Sequence, residues 1–311
     1  MNKNFKNYLI LYLSFLFFIC IFFLYTKHSV GNDSTISEWL INYSGGFTKR
    51  GIIGEISIFF SRLFEQNLRD VIYIFQLLII GIYYVLIYFF FKNLYLERYF
   101  LLSIFSPIFL IYPVAEIEVL ARKEVFIFIL FILHTIISTL NNNLKRISKL
   151  IILPLSILIW EPVVFFLPLW IFIDLVNLKE KNYKINLFNE LIFYFPGLLI
   201  AIIFIINPLT PEEHFQMEQV LKNEFKEICY MSCALLKNKS SIYQQFEANL
   251  GKYSLEVFVR YFLIILIGFG PLFTLVYYSR LKIEKNIFPK NINLLSIFLF
   301  LLSPVLLLFA M

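Results

Sequence analysis

Charge is scarce in this chain. Only 15% of its residues are Asp, Glu, Lys or Arg, against about 25% in soluble globular proteins, so an ordinary soluble domain is excluded. Cysteine and histidine are scarcer still, at three each. Cys20, Cys229 and Cys233 form no C-x-x-C or Cys/His ligand pattern, and His28, His134 and His214 lie far apart, so no structural zinc site is expected. Glycine is sparse too, with 10 residues. No internal repeat is evident.

Bulky hydrophobic sequence fills the space. Sixty per cent of the residues are hydrophobic, 38 are Phe, and the mean hydropathy is +0.78. Lys3 and Lys6 precede an apolar run from Tyr8 to Tyr25, close to the roughly 20 residues that cross a bilayer. Tyr25-Thr26-Lys27-His28 does not resemble a signal-peptidase site, so the run reads as an uncleaved anchor with a cytoplasmic N-terminus. Further apolar runs cover Val71–Phe91, Tyr99–Tyr112, Val125–Leu140, Leu150–Val176, Leu191–Ile206, Val257–Tyr277 and Ile292–Ala310. Leu150–Val176 is long for one span and short for two, and Pro162 biases Glu161 away from helical geometry. Two short arms around a break at Trp160-Glu161-Pro162 are expected.

Gly51 to Leu68 carries Ile52, Ile56, Phe59, Phe60 and Leu63 at three- and four-residue steps, the pattern of an amphipathic helix lying in the membrane interface. Residues 207–256 form a polar insert, with helices expected over Pro211–Leu236 and Ser241–Leu250. Placing Lys92, Arg98, Lys145, Arg146, Lys149 and the basic clusters at 179–184 and 280–290 inside makes the cytoplasmic loops net positive, as the orientation rule requires. The fold expected is all-α and polytopic, with about eight or nine membrane segments. It forms a single membrane domain over 1–311, with a first periplasmic loop at 26–70 and a periplasmic helical insert at 207–256.

The chemistry concentrates in the outer connections. Asp33, Glu38, Asn42, Gly45, Gly46, Lys49, Arg50 and Glu55 occupy the first, Glu116, Glu118, Arg122, Lys123 and Glu124 another, and Glu161 the break. Charges at membrane depth are costly unless they face water or one another, so a water-filled cavity open to the outside is expected. Lys49-Arg50 beside glycines suits a phosphate, since backbone N–H groups can approach an anion and Arg offers a fork; snorkelling to lipid headgroups is the alternative. Asp33 or Glu38 suits a general base on a sugar hydroxyl, against helix capping or solvated loop charge. Arg122 and Lys123 suit a second phosphate contact, or pairing with Glu118 and Glu124. Trp39 reads as an interfacial anchor, with sugar stacking as the other option, and His214 as solvated. Cys229 and Cys233 are either bridged or free thiols.

The segment E-W-L-I-N-Y-S-G-G-F-T-K-R-G-I-I-G-E (Glu38–Glu55) resembles a pattern in multi-pass membrane proteins of bacterial surface-polysaccharide loci. Ala121–Glu124 (A-R-K-E) and Trp160–Pro162 (W-E-P) resemble further stretches of that group. The group is similar to GT-C-type glycosyltransferases and O-antigen or capsule polymerases. The resemblance implies a GT-C-like inner-membrane protein using a polyprenyl-phosphate-linked sugar on its periplasmic face. It implies Asp33 or Glu38 as base and Lys49 and Arg50 on the lipid phosphate, with Glu38 standing where the group has Asp and Lys49 where it has Arg. It also leads to an expectation of further polar sequence after Met311. Membrane lipids and a polysaccharide assembly complex are the expected partners; nucleic acid is not. No metal ligand or cofactor is assigned, and the need for a divalent metal is left open. Two other readings stand beside transfer: a flippase for the same lipid-linked glycan, and a non-catalytic partner in the assembly complex.

Overall fold

A computed structural model describes residues 3–30, 33–92, 120–140, 142–177 and 191–236, with short pieces between 254 and 266 and residue 302. The described residues are helical, with no β-strand among them. The run at 99–112, most of those at 257–277 and 292–310, the helix expected at 241–250, and Glu116 and Glu118 lie outside the described residues.

Among the described residues, two helices are long and apolar enough to cross a membrane. They are α1 (Lys3–Val30) and α4 (Leu68–Phe91). At 1.5 Å per residue the shorter is about 36 Å long, more than a hydrocarbon core of about 30 Å. The two pack together. Leu9, Leu13, Leu16, Cys20 and Leu24 form the buried stripe of α1, and Ile72, Ile79, Tyr83, Tyr84 and Ile87 belong to the same core. Cys20 Sγ lies 3.5 Å from the Tyr84 hydroxyl inside it. Tyr8, Leu11, Phe15, Phe18 and Phe22 are left exposed on α1, as a lipid-facing surface requires.

Between them come α2 (Ser34–Ser37), a 3-10 turn (Glu38–Leu40) and α3 (Gly51–Phe64). The amphipathic helix is present, with Ile56, Phe59, Leu63 and Phe64 exposed. The face it buries is made of small residues: Gly51, Gly54, Ser57 and Ser61 with Ile53 and Ile58. It ends where Glu65 turns left-handed and its N–H, with that of Gln66, takes the last carbonyls, a common helix stop.

The second half begins with α5 (Glu124–Leu140), packed on both α4 and α6 (Asn142–Ile159). The expected break is there. Trp160 is extended, Glu161–Phe166 forms a 3-10 stretch with Pro162 in its first turn, and α7 (Leu167–Asn177) follows. The run of 191–206 yields α8 (Phe195–Ile206), bent by 100° from α9 (Pro211–Phe225). Counting that bent pair as one span gives at most three candidates among the described residues, fewer than eight or nine. Three of the expected runs lie wholly or mostly outside the described residues; of the others, α5, α7 and α8 are apolar but have only 17, 11 and 12 residues, below spanning length.

The helix expected over 211–236 is also corrected. Thr210 and Glu213 form a reciprocal capping box at the start of α9, but Lys226 turns left-handed with φ of 56° and ends it. After a non-helical stretch, α10 (Ser232–Leu235) is tied back by a disulfide between Cys229 and Cys233. Cys20 is a buried free thiol.

Candidate functional site

The site is built by four stretches of the chain. The 3-10 turn after α2 supplies Glu38, the N-terminus of α3 supplies Lys49 and Arg50, the turn before α5 supplies Arg122–Glu124, and the break before α7 supplies Glu161. Trp39 fastens the first to the third: its indole N–H donates to Ala121 O at 3.1 Å. Trp39 is fully buried, which corrects its reading as an interfacial anchor; indole sits in a core when its N–H finds an acceptor. Gly54 brings α3 onto the same segment. A Cβ there would stand 2.0 Å from Ile41 O and 2.7 Å from Trp39 O.

Arg50 is the hub. Its Nε and Nη2 fork onto Glu161 at 2.7 and 3.0 Å, and Nη1 lies 3.6 Å from Glu38 Oε1. Lys49 Nζ reaches the same Glu161 at 3.2 Å. Arg122 Nη2 donates to Glu38 Oε1 at 2.8 Å and sits 3.0 Å from Glu124 Oε1. Lys123, fully buried, donates to the backbone carbonyl of Arg50. That contact holds Arg50 in a left-handed conformation (φ 63°), and Ala121 is left-handed as well. Such backbone states cost about 1 kcal/mol or more in non-glycine residues and persist only where the surroundings impose them.

Burial alone would raise the Glu161 carboxyl, but Arg50 and Lys49 overcome it and hold its pKa down to about 2. Burial dominates at Lys123 and lowers its ammonium to about 7, with Glu38 opposing and Arg50 reinforcing the shift. Glu38, Glu124 and Glu161 therefore face Lys49, Arg50 and Arg122, with Lys123 buried beside them. The pairing is incomplete at the atomic level. Glu38 Oε2, Arg122 Nε and Glu124 Oε2 are buried without a hydrogen-bond partner, and Glu38 is fully buried. Buried polar atoms are rarely left so.

The structure brings Glu38, Lys49, Arg50, Arg122, Lys123 and Glu161 together. Asn42 adjoins them as a turn-former, donating to Leu40 O and accepting from Ser44 N, both at 2.9 Å. Asp33 is elsewhere. It caps α2 through Thr35 N–H at 2.9 Å and pairs with Lys27 at 2.6 Å, the bland alternative for that residue. Burial acts to raise its carboxyl, yet these partners hold it below the usual aspartate value. Gly45 and Gly46 face the start of α9. A Cβ on Gly45 would lie 1.8 Å from Glu213 O, and one on Gly46 3.0 Å from the Glu213 carboxylate. The glycine pair thus permits backbone contact with an acidic residue, a setting unlike an anion cradle. Glu55 accepts from Tyr43 N–H at 3.0 Å.

Two constellations were missed by reasoning from sequence. His214, expected in solvent, is 1% exposed, with Nε2 3.1 Å from Cys233 O and 3.6 Å from Cys229 Sγ. The other is a buried cluster where α5, α6 and α7 meet. Asp174 Oδ2 accepts from Lys149 at 2.8 Å and Tyr194 at 2.6 Å, while Lys145 and His134 lie 3.4 and 3.6 Å from Oδ1. An aspartate within an apolar run was the available signal, since such a charge needs partners.

No family model, curated protein or solved structure matches this chain. The function is therefore argued from the site itself.

Proposed function

We propose that this protein is a membrane-embedded glycosyl-transfer enzyme of surface-polysaccharide biosynthesis, acting on a polyprenyl-phosphate- or diphosphate-linked sugar at the outer face of the inner membrane. The observation that carries the reading is Glu38: a fully buried carboxylate with Oε1 held by Arg122 and Oε2 unpartnered. An oxygen so oriented suits a general base. In the proposed step Oε2 takes the proton of an acceptor hydroxyl as that oxygen bonds to the sugar's anomeric carbon. The bond from that carbon to the phosphate oxygen breaks, and the electron pair leaves with the phosphate. Arg50 and the half-exposed Lys49 stand ready to stabilise the departing anion, which would share Arg50 with Glu161.

The outer orientation is supported by the Cys229–Cys233 disulfide, since such bonds persist in oxidising compartments. The unit bearing it contacts α2 and the turn that carries Glu38. The test is surface-glycan chain length in a deletion strain complemented with Glu38→Gln or Arg50→Ala, with membrane levels of each variant matched by immunoblot. Both variants are expected to leave chains short. Full restoration by both would overturn the proposal.

A further inference from the structure

Outside the transfer site, the α9–α10 unit gathers a histidine, two cysteines and a glutamate. His214 comes from α9, Cys229 from the stretch after it, and Cys233 from α10. A His214 ring nitrogen, a Glu218 carboxylate oxygen and Cys229 Sγ all lie within 4.8 Å of one another. The two ring nitrogens are in different situations. Nε2 faces Cys233 O and the sulfur of Cys229 at 3.1 and 3.6 Å. Nδ1 points to Glu218 Oε2 at 3.8 Å, too far for a hydrogen bond, and is buried without a partner. One imidazole presents only one nitrogen to a single ion; Nε2 is the one that faces the sulfur, so Nδ1 is left to Glu218.

We propose that Cys229, Cys233 and His214 form a zinc site in the dithiol state, closed by the disulfide and opened by reduction, with Glu218 orienting His214. A dithiol reductant supplies two electrons and two protons to the Cys229–Cys233 bond and itself becomes a disulfide. Zinc then binds both sulfurs as thiolates and releases the two protons. Two thiolates at about 2.3 Å from a tetrahedral ion stand about 3.8 Å apart. The Cα atoms, 5.3 Å apart, allow that separation through side-chain rotation. His214 changes tautomer. In the disulfide state Nε2–H donates to Cys233 O and leaves Nδ1 orphaned. In the metal state Nε2 offers its lone pair to zinc and Nδ1–H donates to Glu218, the carboxylate–histidine–metal arrangement that fixes ligand orientation. The fourth position is left to water.

The test uses the full chain in detergent, made metal-free, in oxidised form and after phosphine reduction. Bound zinc is counted by mass spectrometry, and Co²⁺ is titrated as a spectroscopic substitute. Reduced protein should bind one ion per chain and show thiolate-to-cobalt charge transfer with intense tetrahedral visible bands; oxidised protein should bind none. Glu218→Gln should weaken binding about tenfold, and His214→Gln should weaken it more and shift the cobalt bands. If reduction loosens the unit, cobalt should restore helical circular dichroism in the wild type but not in Cys229→Ser. Absence of cobalt binding by reduced protein would overturn the proposal. So would His214→Gln binding as tightly as wild type with the same spectrum. Neither result bears on glycosyl transfer, which Glu38→Gln tests separately.

Discussion

Gly54→Ala should unsettle the protein although it adds one methyl group to a helix. Alanine favours an exposed helix interior by about 1 kcal/mol over glycine, so propensity alone says the change stabilises. Packing says otherwise. The new Cβ would sit 2.0 Å from Ile41 O and 2.7 Å from Trp39 O, where 3.4 Å or more is ordinary contact. Neither atom is the end of a flexible side chain, and the segment is held by Trp39 on Ala121 and by Glu55 on Tyr43. Overpacking of this kind costs about 1–3 kcal/mol, and a rigid backbone neighbour favours the upper end. The net expectation is a loss of about 1–2 kcal/mol.

Gly81→Ala in α4 is the control. Its Cβ would meet only the Phe17 ring at 3.6 Å or beyond, so it keeps the propensity gain without the clash. Thermal unfolding in detergent, followed by tryptophan fluorescence from buried Trp39 and Trp170, should place Gly54→Ala a few degrees below wild type and Gly81→Ala at or above it. Because α3 starts directly after Arg50, the proposed function adds that Gly54→Ala should shorten the surface glycan. A Gly54→Ala midpoint equal to or above wild type would refute the close-approach argument.

Trp39→Phe should keep most of the apolar contact but orphan Ala121 O, costing about 1–3 kcal/mol in the same unfolding assay. Lys123 carries a pH signature. Its pKa is lowered to about 7 in the folded state, so the unfolded chain binds more protons above that pH. Stability from this group should rise as pH climbs from about 7 toward the ordinary lysine value of about 10.4, and Lys123→Met should flatten that rise in a series of denaturation midpoints. Arg69 forks onto Glu227 at 2.8 and 2.7 Å. Arg69→Ala should cost about 1.5–3 kcal/mol of docking and speed protease cleavage within 207–236, while a conservative change at the more exposed Arg62–Glu224 pair should cost less.

Which parts of this were legible follows from how far each cause reaches along the chain. The break at Trp160–Pro162 and the cap at Thr210 are local, set by proline geometry and a serine-like hydroxyl three residues from an acid, and both could be read from a few letters. The end of α9 could not, because Lys226 takes a left-handed turn that carries no glycine to announce it. That unmarked turn decides the fate of His214, since the chain doubles back there and carries both cysteines onto the ring.

Convergence is the harder case. Arg50 and Glu161 are 111 residues apart, and Arg122 and Glu38 are 84 apart; no spacing rule connects them. Scarcity does. With charge so rare, an ionised group among apolar helices has few ways to lower its energy except by meeting water or an opposite charge, so Glu161 pointed to a partner without naming it, and the same argument, not applied to Asp174, would have done so there. Lys145 and Lys149, which the orientation rule places on the cytoplasmic side, are partners of Asp174. They are four residues apart on α6 and both are buried against Asp174. The lone acid was visible in sequence, while the choice of lysines depended on helix packing that only coordinates supply.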